Sequence, residues 1–269
     1  MNRNQLIQQI RHRKNFLCVG LDPDINKLPQ FLMEEEDPIY EFNKAIVDAT
    51  APYCVAFKPN SAFYEAYGLS GMASQERIMK YITHNYPDHF LIADAKRGDI
   101  GNTSAMYARA FFKRLGAHAV TIAPYMGSDS VKPFLQFEDK WAIVLGLTSN
   151  EGSADFQQQL VNGRELYLHV IETCAGWGNP GNMMFVVGAT KAAMLAEIRR
   201  IIPEHFLLVP GVGAQGGSLQ EVCRYGMNAD VGLLINASRS IIYASGDRDF
   251  AGKAAMEARS MAEEMKHYL

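Results

Sequence analysis

The chain has 269 residues, with 26 Lys and Arg against 29 Asp and Glu for a formal charge of −3. Apolar residues make up 48% and charged residues 20%, which supplies a sizeable core and a solvated surface and excludes a disordered or fibrous protein. No basic face offsets a line of phosphates, so nucleic acid is not an expected partner, and no run of about 18 apolar residues suggests a membrane span or a secretory signal.

Taken in chain order, the sequence alternates short apolar runs with helical periodicity. The first residues form a polar, helix-like extension through Lys14, followed by a strand over 16–22 that ends on Asp22. A long loop over 23–38, with the solvated run Glu34-Glu35-Glu36-Asp37, precedes a helix over 39–50. Strand 54–59, carrying Lys58, leads to helix 74–85, and strand 90–96 to helix 102–115. Strand 119–124 is followed by helix 129–137, and strand 142–149 by helix 156–175. The breaker-rich segment Ala175-Gly176-Trp177-Gly178-Asn179-Pro180-Gly181-Asn182 ends that helix. Strand 184–190 with helix 191–202, strand 206–211 with helix 218–224, and strand 231–238 with helix 247–267 complete the pattern. Eight strand-then-helix units with no linker between them predict an α/β fold, a (β/α)₈ TIM barrel in a single domain over 1–269. An open doubly wound sheet is the structural alternative.

In such a barrel the carboxyl ends of the strands converge on one cavity. Asp22, Lys58, Asp94 and Lys96 all interrupt apolar strand runs near those ends, where a charge would be expensive unless it were used. The two-residue period of a strand puts Asp94 and Lys96 on one face. Asp99 and Thr103, four residues apart at the following helix start, can share a face or simply cap the helix. The seventh unit ends Val209-Pro210-Gly211-Val212-Gly213-Ala214-Gln215-Gly216-Gly217, and the eighth Asn236-Ala237-Ser238-Arg239-Ser240. Exposed peptide N–H groups, the Gln215 amide and the Arg239 guanidinium suit a phosphate, which this architecture binds at loops seven and eight. Ser149, at the end of the fifth strand, can face a planar heterocycle or stabilise a turn. Cys18, Cys54, Cys174 and Cys223 are too widely spaced for a metal motif and are expected to be reduced, in a cytoplasmic protein. The seven histidines mostly fall in or beside helices, with no metal or nucleophile signature.

The ordered set Asp94-x-Lys96-x-x-Asp99-Ile100, Asp22, Lys58, Pro210-Gly211-Val212-Gly213-Ala214-Gln215 and Arg239 resembles the orotidine 5′-phosphate decarboxylase family, in its longer bacterial-type branch, across nearly the whole barrel. The resemblance implies a homodimer that converts orotidine 5′-monophosphate to uridine 5′-monophosphate and carbon dioxide with neither metal nor organic cofactor. It further implies that Lys96 delivers the proton to C6 beside Asp94 and that Asp22 and Lys58 bind ribosyl hydroxyls. Asp99 and Thr103 would reach the other subunit's ligand, Ser149 would lie by the pyrimidine, and Gln215 and Arg239 would hold phosphate. Glu151 stands where the family often has proline, and Ser238 where it usually has glycine. The alternatives are a metal-dependent keto sugar phosphate decarboxylase and a non-catalytic phosphate-ligand binder.

Overall fold

The computed structural model describes residues 1–213 and 216–269. Its centre is a closed barrel of eight parallel strands, β1 (Leu17–Leu21), β2 (Ala56–Pro59), β3 (Phe90–Arg97), β4 (Ala119–Ile122), β5 (Trp141–Leu147), β6 (Met183–Val187), β7 (Phe206–Pro210) and β8 (Leu233–Ala237). Each strand pairs with its neighbours in chain order, and the ring closes where Leu17 of β1 pairs with Ile235 of β8. The strands are apolar on both faces because one face fills the barrel and the other packs under helices. All five residues of β1 and of β6 are buried.

Local sequence chemistry sets the helix starts. Helix α1 (Arg3–Arg13) opens with a reciprocal Asn2–Gln5 capping box, and α2 (Pro38–Thr50) combines an Asp37 cap on the Tyr40 N–H with proline in its first turn. Helix α1 closes the amino-terminal end of the barrel: Arg3 donates to the carbonyls of Pro180 and Glu204 and pairs with Asp230 at 2.9 Å. Inside that end, Phe90, Trp141 and Phe206 meet edge to face at centroid distances of 6.0 and 6.4 Å.

The eight strands fall where the apolar runs put them, but several connections differ. The expected helix over 156–175 is instead a short helix (Ser153–Phe156), a two-stranded ribbon pairing Leu160–Val161 with Arg164–Glu165, and a helix over Leu166–Ala175. Asn162 and Gly163 both take positive φ, which makes the ribbon's reversal and breaks the helical run. The segment 129–137 winds as one α turn (Ser128–Val131) and then as a 3₁₀ helix, Lys132–Gln136, where Pro133 has no N–H to donate. The loop over 23–38 carries two 3₁₀ helices, Ile25–Lys27 and Gln30–Glu34. Val231 belongs to the turn before β8 with φ of 68°, so that strand starts at Leu233.

Candidate active site

The carboxyl end of β3 holds a compact array of charge. Asp94 is 8% exposed, and its two carboxylate oxygens are divided between two lysines: Lys58 Nζ donates to Oδ2 at 2.6 Å and Lys96 Nζ to Oδ1 at 2.7 Å. The Thr121 hydroxyl on β4 adds a third donor, 2.8 Å from Oδ1. Burial by itself would push the Asp94 carboxyl up, but the charges and hydrogen bonds of Lys58 and Lys96 overcome it and hold the group well below the usual carboxylate range. Burial likewise works against the Lys58 ammonium, and the nearby Asp94 and Asp22 carboxylates more than reverse that, raising it. The two lysines differ in access: the Lys58 side chain is 5% exposed and that of Lys96 51%. Lys58 is built into the wall, whereas Lys96 presents its ammonium to an open space.

Strand β3 does not reach this arrangement by regular alternation. Ala93 pairs with Val120 and Arg97 with Ile122, so four residues of β3 advance against two of β4. Within that bulge Lys96 has φ of 46°, a left-handed conformation uncommon for a side-chain-bearing residue. Arg97 leaves the cavity to pair with Glu65, with its guanidinium over the rings of Tyr107 and Phe111 at 5.4 and 5.6 Å. Asp99 and Thr103 lie outside the cavity formed by this chain. The Asp99 carboxylate accepts from the Ile100 N–H at 2.8 Å instead of capping the helix Gly101–Arg109, and Thr103 is exposed.

Around the array is a cavity of about 580 Å³ at the carboxyl ends of the strands. Asp22, Lys58, Asp94, Lys96, Ser149 and Arg239 all line it, so six of the nine expected site residues converge. Gln215 lies outside the described residues. The Asp22 Oδ2 accepts from the Ser238 hydroxyl at 2.7 Å across the β1–β8 closure. Gly20 makes that approach possible, because a Cβ there would stand 2.7 Å from the Ser238 Cβ. The Oδ1 atoms of Asp22 and Asn236 are buried with no hydrogen-bond partner among the described residues. In the seventh loop Gly211, Gly213 and Gly216 all take positive φ, and the Gly217 N–H bonds back to the Gly211 carbonyl at 3.2 Å. Arg239 begins the next helical turn, exposed and with no ion pair among the described residues.

Thr121, Asn60 and Gln157, none of them a candidate from sequence, also line the cavity, as does Asn236 at the end of the eighth strand. Gln157 accepts from the Thr148 N–H and donates to its hydroxyl, both at 2.8 Å, tying the 153–165 segment over the fifth strand's exit. A hydroxyl interrupting the apolar run Ala119-Val120-Thr121-Ile122 was the one available signal for Thr121. Among the described residues, no three His, Cys, Asp or Glu side chains are grouped to hold a metal ion, and no helix is long and apolar enough to cross a membrane.

A closed parallel barrel with a buried acid–lysine array facing a polar cavity at the carboxyl ends of its strands is the architecture of a barrel enzyme. Residues 15–255 match the orotidine 5′-phosphate decarboxylase / HUMPS family, and the chain belongs to that family. It is 61% identical to the orotidine 5′-phosphate decarboxylase of Flavobacterium johnsoniae over 265 residues, covering 98% of this chain and 97% of that one. It is 58% identical to the enzyme of the same name from Phocaeicola vulgatus, covering 99% and 98%. Among solved structures, the OMP decarboxylase of Leishmania donovani superposes with a TM-score of 0.81 at 37% identity, over 98% of this chain and 99% of that one.

Proposed function

We propose that the chain, a single barrel domain over 1–269, decarboxylates orotidine 5′-monophosphate to uridine 5′-monophosphate in pyrimidine nucleotide biosynthesis, with Lys96 as the proton donor. The observation that carries this reading is the asymmetry of the array: a buried carboxylate fixed by a buried lysine, beside a second lysine open to the cavity. The bond from C6 to the substrate carboxyl carbon breaks, its electron pair stays on C6, and carbon dioxide leaves. Asp94 disfavours the substrate carboxylate in the ground state, while the Lys96 ammonium stabilises charge developing at C6 and then transfers a proton there. The charges are in place before reaction, so little reorganisation is needed in the transition state. Asp22 and Lys58 take the ribosyl hydroxyls, an assignment supported by their place in the cavity wall. Ser149 lies by the pyrimidine, and Gln215 and Arg239 hold the phosphate, whose binding orients the reacting end. The reaction calls on no cofactor.

The active unit in this reading is a homodimer in which Asp99 and Thr103 complete the partner's site. Ile100 and Met106, flanking them, are 54% and 56% exposed, and Tyr125 and Met126 on the neighbouring loop 90% and 51%, an apolar surface suited to burial against a second copy. A cytoplasmic location is supported by the four free cysteines, all buried and unbridged.

The test is a metal-free assay with orotidine 5′-monophosphate that follows both carbon dioxide and uridine 5′-monophosphate. Wild-type protein should release the two in equal amounts, and Lys96→Ala should lose at least about 10²-fold in kcat while remaining folded and nucleotide-binding. Normal turnover by homogeneous Lys96→Ala protein would remove the proton-donor role. Turnover only of a keto sugar phosphate with a divalent metal would replace the substrate assignment.

A further inference from the structure

At the β3 bulge the regular ladder between β3 and β4 is interrupted, since the pairing jumps from Ala93–Val120 to Arg97–Ile122. The residues left without ladder partners on β4 are Asp94, Ala95 and Lys96, which include the two groups the proposed reaction uses. Their place is taken by one side chain. The Thr121 hydroxyl accepts from the backbone N–H of Lys96 at 3.0 Å and donates to Asp94 Oδ1 at 2.8 Å. Thr121 is 1% exposed and β-branched, so its χ1 is fixed by packing and its hydroxyl is held rather than free to rotate to other partners.

These two hydrogen bonds constrain both halves of the acid–lysine pair. The Lys96 backbone occupies a left-handed conformation, which is unfavourable for a residue with a side chain and persists only where the surroundings enforce it. On the Asp94 side, Oδ1 has two donors, Thr121 and Lys96, so the carboxylate cannot turn toward Lys96 alone.

We infer that Thr121 is a positioning residue for the decarboxylation: through its single hydroxyl it fixes the Lys96 backbone and the Asp94 carboxylate relative to each other, and so sets where the ammonium stands against the reacting carbon. This inference rests on the function proposed above. A misplacement of about 1 Å at such a centre can cost about 10²-fold in rate.

The experiment compares Thr121→Val, which keeps the shape and removes the hydroxyl, with Thr121→Ser, which keeps the hydroxyl. In the wild-type assay, failure to decarboxylate orotidine 5′-monophosphate would refute the proposed function itself. Given wild-type turnover, Thr121→Val should lower kcat about 10- to 100-fold with KM changed less than about threefold, and Thr121→Ser should restore most of the rate. Affinity for uridine 5′-monophosphate, measured by calorimetry, should be the same in all three proteins. If Thr121→Val does not fold, Thr121→Ala, which also lacks the hydroxyl, is read in its place. Wild-type kcat in the hydroxyl-free variant overturns the inference. So does a Thr121→Ser enzyme as slow as Thr121→Val, or a loss confined to KM.

Discussion

At the scale of single residues, burial is used in two opposite ways. Lys58 and Asp94 are buried as a charged pair because each is the other's partner, and removing one would strand the other. His89 and His205 are buried and His118 is partly buried, and in each the loss of hydration outweighs any nearby negative charge. Burial pushes His89 down to about 4, helped by Arg13, and His205 down to about 4, helped by Arg199 and Arg3. His118 falls to about 3 through burial, then the amino terminus and Lys140, and its neutral Nδ1 accepts the Leu91 N–H at 3.0 Å. For each ring the folded value lies below the unfolded 6.5, so between these values the unfolded chain binds more protons and stability falls as pH falls. The depressed Asp94 carboxyl adds a loss of the same sign only below its ordinary 3.8. The unfolding free energy from urea titrations should therefore decline increasingly as pH falls through 6.5 to 5, by up to about 1.4 kcal/mol per pH unit for each histidine. A flat profile would mean that the rings take up protons alike in the folded and unfolded chain.

At the scale of elements, strand exits depend on close approaches that only glycine permits. A Cβ on Gly188, just after β6, would stand 2.7 Å from the Ser149 Cβ and 2.8 Å from both its N and Cα. Because two of those atoms are backbone, the β5 exit has to move as a unit. Gly188→Ala should cost about 1–3 kcal/mol in a thermal melt and raise KM for the nucleotide through displacement of Ser149. An unchanged KM with the melt lowered would separate Ser149 from ligand binding. The eight strands were legible because buried parallel strands are continuous apolar runs, and the Asp94–Lys96 pair because charges at strand ends stand out against them. The bulge was not legible: alternation puts Asp94 and Lys96 on one face, but nothing in Asp94-Ala95-Lys96 announces a left-handed lysine. Thr121 was missed because a threonine in a β run is also an ordinary strand former, and its role comes from a register shift set by the neighbouring strand. The helical pattern over 156–175 gave way at Asn162-Gly163, a turn signal inside a long periodic stretch.

At the scale of the whole molecule, the proposed dimer can be tested through Asp99 and Thr103, which do not line the cavity of their own chain. Lys96→Ala and Asp99→Ala homodimers should each be nearly inactive. Mixed and allowed to exchange, they should recover roughly a quarter of wild-type activity, because half of the dimers are hybrids and each hybrid has one intact site. Verified hybrids without recovery would assign Asp99 to its own subunit or to no site.

The closure of the ring has a consequence for the order in which this protein comes into being. Asp22, emerging from the first strand, meets Ser238 only after 216 further residues have been laid down, and Tyr243 then locks the Asp22 carbonyl at 2.8 Å. The wall of the cavity that Asp22 and Ser238 share therefore cannot exist in any partly assembled sheet, whatever local structure has formed. Contacts this distant in sequence form late. During refolding, turnover would be the last property to return, and its appearance would time the moment at which an open ribbon of strands becomes a cylinder.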